Sequence, residues 1–185
     1  AEGVYRDVNI ALANELFKVS EHYNIDFWEM KEAAKHEYCN ILEPGLVGGH
    51  CIPLYPWFLI NELKVPLMKT ARELNDGMIN YYFKKIEKIG GKKVGIIGLS
   101  YREGVKEKAY SSSTGLIRLL KGKGYDVYGL DPLYTKSETE NSFDIRCLDD
   151  FDKMDVIIVM NKLSQYKDKL IKIKNKVVDV KGMLK

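Results

Sequence analysis

No apolar run in this sequence is longer than Val156–Met160, far short of the roughly 20 residues that a membrane-spanning helix needs. A membrane partner is therefore not expected. The chain also opens without the basic, apolar and small-residue pattern of a leader. Cysteine is scarce: Cys39, Cys51 and Cys147 are an odd number, widely spaced, with no Cys-x-x-Cys pair. Neither a disulfide framework nor a zinc knuckle follows from them, so no metal site is expected. Free thiols fit a reducing, cytoplasmic compartment, where each is either buried and inert or free to react. An excess of one charge is missing too. The formal net charge is only +3 and the lysines are scattered, which reads as a solvated surface and excludes nucleic acid as a partner.

What is present is an ordinary globular composition, 45% hydrophobic and 30% charged over 185 residues. That is enough for one large domain or two small ones, each with its own core. Residues 1–90 read as helical. Val4, Val8, Ala11, Leu12, Leu16 and Val19 share one helical face, giving a first helix over about Glu2–Tyr23. The pattern is already running at the first residues with no cap before it, as expected of a chain cut inside a longer protein. A second helix follows Asn24-Ile25-Asp26. A loop rich in breakers is expected over Glu43–Pro56, with Pro44, Gly45, Gly48, Gly49, Pro53 and Pro56. A third helix opens at Pro66, tolerated in a first turn, and runs to Ile89. Gly90-Gly91 then marks a domain boundary.

Residues 91–185 alternate strand and helix. Lys93–Leu99, Tyr125–Leu130, Val156–Met160 and Lys176–Val180 are short apolar strands, and Ser111–Thr114 can cap a helix running to Gly122. This alternation predicts a parallel sheet with helices on both faces, whose ligands sit beyond the carboxyl ends of the strands. The fold class is thus α/β: a helical part plus a Rossmann-like parallel sheet. After the first strand stands Gly95-Ile96-Ile97-Gly98, not Gly-x-Gly-x-x-Gly, so a dinucleotide pyrophosphate turn cannot be assumed there. No cofactor-binding residue is assigned in this chain. The missing phosphate-loop glycines and the helical first half also exclude a small flavin or response-regulator domain.

The segment Leu42-Glu43-Pro44-Gly45-Leu46-Val47-Gly48-Gly49-His50-Cys51-Ile52-Pro53 stands out. Glycines allow close backbone approach to a ligand, and a thiol beside an imidazole ends the run. A thiolate is a nucleophile, favoured by a nearby imidazolium or helix N-terminus. The bland alternative is that Cys51 is buried filler and His50 a satisfied core histidine, and neighbours in sequence often point apart. Residue chemistry alone leaves a possible thiol site.

The same loop resembles the catalytic-cysteine loop of the UDP-sugar and GDP-sugar 6-dehydrogenases, with Pro-Gly, Gly-Gly, Ser or His, then Cys. Three further segments match in the family's order: Arg6–Ala11 with Asn14-Glu15-Leu16, Ala71–Asp76, and Gly98–Arg102 followed by Asp131-Pro132. Together they span nearly the whole chain. The resemblance implies a central dimerisation and catalytic-cysteine domain over 1–90 and a C-terminal UDP-binding domain over 91–185, with the N-terminal NAD-binding Rossmann domain absent from this chain. His50 with Ile52-Pro53 is similar to the branch acting on UDP-N-acetylmannosamine or UDP-N-acetylglucosamine, with the first as leading substrate and UDP-glucose as a further alternative. NAD is the implied cofactor and a homodimer through the long helix the implied assembly.

The roles implied are residue by residue. Cys51 is the nucleophile. Glu43, Gly45, Gly48, Gly49 and His50 shape the sugar pocket, and Lys35 and His36 reach the sugar nucleotide of a neighbouring subunit. Tyr101, Arg102 and Lys181 approach UDP, as cations at strand ends suit phosphate. Some positions depart from the family. Gly3 stands where relatives carry asparagine, Tyr55 where they carry aspartate, and Ala109 where they carry arginine; the family's lysine falls upstream of Ala1. Gly3 and Tyr55 motivate a rival expectation, a non-catalytic nucleotide-sugar-binding or dimerisation module.

Overall fold

The computed structural model describes all 185 residues, which form two compact units, Ala1–Met78 with Lys185 and Ile79–Leu184. The first unit is helical. Helix α1 is Glu2–His22, α2 is Phe27–Ala33, α3 is Cys51–Glu62 and α4 is Pro66–Ile89, which continues into the second unit. Asp26 caps α2, its carboxylate accepting from Trp28 N–H at 2.8 Å.

The apolar series on α1 is split: Ala11 is buried, whereas Leu12 is 53% exposed and Val19 49%. Asp7, Ala11, Asn14, Phe17 and Ser20 point inward and recur at three- and four-residue intervals, so the inward stripe is helical with three polar members. One expectation is corrected in this unit: the breaker-rich loop ends earlier than expected, at His50, because α3 begins at Cys51. Pro53 is the third residue of α3, where a backbone N–H has no acceptor within the helix, so proline forfeits nothing. Pro56 lies inside the helix and is buried. It forfeits one helical bond, and its burial offsets part of that loss.

The second unit is a five-stranded, all-parallel sheet in the order β3-β2-β1-β4-β5. The strands are β1 (Lys93–Ile97), β2 (Asp126–Leu130), β3 (Arg146–Cys147), β4 (Val156–Val159) and β5 (Val177–Asp179), with α5 (Ser112–Gly122), α6 (Lys136–Phe143) and α7 (Lys167–Lys172) between them. The chain winds outward from β1 to β3, then returns to β4 and β5. Right-handed crossovers therefore place α5 and α6 on one face and α7 on the other. Val94, Ile96 and Ile97 of β1 and all of β4 are buried, as expected of central strands covered on both faces. Ile97, Leu148, Ile157, Val159 and Leu170 pack in one cluster, each contributing about 1.5–3 kcal/mol by leaving water. Sequence patterning missed α6, β3 and α7.

The two sides of the sheet meet just after β1, at Gly98. Its φ is +91°, and a Cβ there would stand 2.7 Å from Asn161 Cβ and 2.9 Å from Asn161 N. Gly98→Ala is expected to cost about 2–4 kcal/mol, through backbone strain plus a clash with backbone that cannot easily retreat. Gly104 also has positive φ (+74°) but open space around it, so Gly104→Ala is expected to cost about 1 kcal/mol, from strain alone. Urea unfolding of the two variants checks this, and equal midpoints would count against the close approach at Asn161.

Candidate active site

The thiol of Cys51 is held by a helix start and an anchored loop. Cys51 is the first residue of α3 and His50 its N-cap, so the thiol lies where four backbone N–H groups lack helical acceptors and the helix dipole favours negative charge. Of the three free cysteines Cys51 is the exposed one, with Cys39 and Cys147 half-buried. Burial, followed by the charge of Asp149, pushes the Cys147 thiol up, away from reactivity at neutral pH.

The loop before Cys51 is fixed by an amide that imitates backbone. Gly45 N–H donates to Asn14 Oδ1 at 2.7 Å, and Asn14 Nδ2 donates back to Gly45 O at 3.1 Å. Gly45 and Gly49 take φ of +128° and +89°, conformations that side chains resist. Asn14 also donates to Asn75 Oδ1 at 2.9 Å, and Asn75 Nδ2 donates to both Asp7 O and Asp7 Oδ1 at 2.8 Å. Arg72 pairs with Asp7 through a short contact and with Asp76 at 3.1 Å. The polar stripe of α1 thus meets a polar stripe of α4, and both support the cysteine loop. Burial raises the Asp7 carboxyl above its ordinary value, opposed by Arg72 and Asn75. Hydrophobic periodicity gives these residues no role. The available signal was two polar residues, Arg72 and Asn75, beside the apolar face of an amphipathic helix.

The other expected residues of this unit divide. Glu43 and His50 are exposed at the loop, Gly48 is half-buried, and Gly45 and Gly49 are buried. Lys35 and His36 lie after α2, both exposed; Lys35 pairs with Glu32 at 3.7 Å, and His36 Nδ1 accepts from Tyr38 N–H at 3.1 Å. Tyr55, one helical turn beyond Cys51 and 49% exposed, has its phenol pKa raised by hydrogen bonding to Cys51 and by the charge there.

In the second unit the expected residues all lie at the carboxyl edge of the sheet. Tyr101 and Arg102 follow β1, with the Arg102 guanidinium 5.5 Å from the Tyr101 ring centroid. Lys181 follows β5, its N–H donating to Asp179 Oδ1 at 3.2 Å. One strand, β4, separates β1 from β5, so the two cationic positions start about 10 Å apart. The backbone just after β1 is already bonded. Asp131 Oδ2 accepts from both Leu99 N–H and Ser100 N–H at 2.9 Å, Asn161 Nδ2 donates to Ser100 O at 3.0 Å, and Ser111 and Ser113 hydroxyls both donate to Leu99 O. The backbone donors that a pyrophosphate would take after the first strand are given to a carboxylate. These residues do not fit a dinucleotide phosphate.

Residues 1–77 match the central domain and residues 95–185 the UDP-binding domain of the UDP-glucose/GDP-mannose dehydrogenase family. The chain belongs to this family. It is 39% identical to the UDP-N-acetyl-D-mannosamine dehydrogenase of Methanocaldococcus jannaschii, covering 99% of this chain and 46% of that protein, and 33% identical to the one of Campylobacter jejuni, covering 89% and 44%. The UDP-N-acetyl-mannosamine dehydrogenase Cap5O of Staphylococcus aureus has the same fold over 98% of this chain and 46% of its own, with a TM-score of 0.79 at 30% identity. The chain therefore spans about half the length of the relatives it matches. No helix is long and apolar enough to cross a membrane.

Proposed function

We propose that this chain is the substrate-side part of an NAD-dependent dehydrogenase that oxidises C6 of UDP-N-acetylmannosamine to the carboxylate, working through Cys51. The observation that carries this reading is the exposed Cys51 thiol at the first position of α3, in a loop whose backbone is pinned at Gly45. The similar proteins named for UDP-N-acetylmannosamine support the substrate. The part of the protein that binds NAD is placed outside these 185 residues, in keeping with the carboxylate-filled edge after β1. Two NAD molecules, bound in succession, would each accept one hydride from the sugar carbon.

Between the two oxidations this chain supplies the nucleophile. The Cys51 sulfur adds to the C6 aldehyde carbon, a C–S bond forms, and the carbonyl electron pair moves to oxygen, which takes a proton. The thiohemiacetal so formed again carries a hydrogen on C6, which a free aldehyde cannot lose as readily. Its oxidation leaves a thioester. Water then adds to the carbonyl, the C–S bond breaks, the electron pair returns to Cys51 as thiolate, and the carboxylate leaves. Glu43, Gly45, Gly48, Gly49 and His50 line the sugar, while Tyr101, Arg102 and Lys181 face the diphosphate. Lys35 and His36 serve the site of a second subunit. The exposed apolar face of α1, with Leu12 and Val19, is where that subunit docks to form a homodimer.

A non-catalytic binder is the second reading, favoured by Gly3, which offers no polar group beside the Cys51 carbonyl. The test uses the full-length protein with UDP-N-acetylmannosamine and excess NAD. Two NADH per sugar are expected. No NADH from any UDP-hexose or UDP-hexosamine, with UDP-sugar still bound, would establish the binder instead.

A further inference from the structure

An asparagine amide accepts at one end and donates at the other, so a bonded asparagine has a direction. Asp7 sets the first of two such directions. Its carboxylate, paired with Arg72, and its backbone carbonyl only accept, and Asn75 Nδ2 donates to both at 2.8 Å. Asn75 Oδ1 is thereby left to accept from Asn14 Nδ2 at 2.9 Å. With Nδ2 committed to Asn75 and to Gly45 O, Asn14 presents Oδ1 to Gly45 N–H at 2.7 Å. Turning either amide over would set donor against donor and oxygen against oxygen. Asp7, Asn14 and Asn75 are each 2% exposed or less, so no bulk water relieves a wrong orientation.

The series ends at the loop that holds Cys51. From Gly45 to Cys51 the chain turns tightly: Gly45 and Gly49 have positive φ, and Gly45, Leu46 and Gly49 are buried. A displacement at Gly45 is therefore carried to the first turn of α3. We propose that Asn14 is a positioning residue for the reaction, fixing the cysteine loop through Gly45, with its own direction set by Asn75 and Asp7. The inference rests on the reading of Cys51 as the nucleophile. Fully buried, Asn14 does not reach the sugar. Its effect falls on capture of the C6 aldehyde, where sulfur and carbon must meet and a misplacement of about 1 Å costs on the order of a hundredfold. The diphosphate is assigned to the second unit, so UDP affinity does not pass through Gly45.

The test traps the aldehyde. Full-length protein turns over UDP-N-acetylmannosamine with NAD in the presence of hydroxylamine, and mass spectrometry measures the oxime and carboxylate products. Asn14→Leu keeps the heavy-atom shape and removes every polar atom. It is expected to lower carboxylate formation about tenfold or more and to raise the share of oxime, with UDP affinity unchanged. Asn75→Leu leaves the Gly45 bonds in place but frees the Asn14 amide to turn over, and is expected to shift the share the same way by less. It decides the matter if Asn14→Leu does not fold. Ser20→Ala controls for lost stability alone, since that buried hydroxyl donates to Phe17 O at 2.8 Å within α1. Its product ratio is expected to match the unaltered enzyme. Cys51→Ser sets the scale, with oxime as nearly the whole product. An oxime share in the two leucine variants equal to that of the unaltered enzyme would overturn the positioning role. A Cys51→Ser enzyme that makes carboxylate and no oxime, or a full-length protein that oxidises no UDP-sugar, would instead overturn the nucleophile reading.

Discussion

Cys51→Ser in the full-length enzyme is expected to lower steady-state NADH production from UDP-N-acetylmannosamine by about 10³-fold or more, the usual scale for removing a covalent nucleophile. The loss should fall on one half of the reaction. Removing the first hydride from the C6 alcohol needs no thiol, so the aldehyde can still form. The second oxidation needs a covalent adduct, and a serine hydroxyl adds far more weakly than a thiolate at neutral pH. With enzyme in excess over sugar, the variant should release one NADH per sugar and stall, where the unaltered enzyme releases two. Cys39→Ser, at a half-buried thiol with no assigned role, should behave as the unaltered enzyme. Two NADH per sugar at an unchanged rate from Cys51→Ser would remove the thiol from the mechanism.

How far the molecule can be read from its sequence depends on which signal each part carries. α1 and α4 are long and periodic, and their observed bounds, Glu2–His22 and Pro66–Ile89, agree with the pattern to within a residue. β1, β2, β4 and β5 are apolar segments bounded by polar residues, and are found in place. α3 was hidden because proline reads as a breaker, though Pro53 falls in a first turn where it breaks nothing. α6 has a capping box at Thr135 and Glu138 but buries only Thr139 and Phe143, too little to make a periodic stripe. The cysteine loop was legible as a motif. The placement of Cys51 and Tyr55 one turn apart on a helix was not, since it exists only once residues 51–62 are helical.

The polar layer beneath that loop was illegible for another reason: its partners lie 61 to 68 residues apart. Asn14, Asn75, Asp7 and Arg72 occupy inward-facing positions that hydrophobic periodicity assigns to apolar residues. Nothing local in either helix says which charge will meet which. The same layer turns α1 and α4 from two amphipathic helices into a specific pair, and it reaches Gly45 directly. Fold and chemistry therefore share these residues.

Arg72→Met is accordingly expected to be the most destabilising single substitution in the helical unit. Arg72 and Asp7 are each about 1% exposed, and stripping one partner from a buried pair costs about 3–5 kcal/mol, because the other charge stays in the protein without compensation. Methionine replaces much of the stem, so lost packing contributes the smaller part. The pH dependence separates the two contributions. Burial already holds the Asp7 carboxyl above its ordinary value, against the pull of Arg72, and removing Arg72 raises it further. A carboxyl whose folded pKa exceeds its unfolded value binds its proton more tightly when folded. The stability from that proton is fully present below the unfolded pKa and is lost as pH rises through the folded one. The deficit of Arg72→Met should therefore be largest near neutral pH and shrink on acidification toward about pH 4. The double variant Asp7→Asn with Arg72→Met carries no buried charge and keeps an acceptor for Asn75, so it should regain at least half of the loss at neutral pH. Urea midpoints measured across pH decide the matter. A deficit that is flat with pH and not relieved in the double variant would mean that Arg72 acts by filling space, and that the charge of Asp7 is satisfied by Asn75 without it.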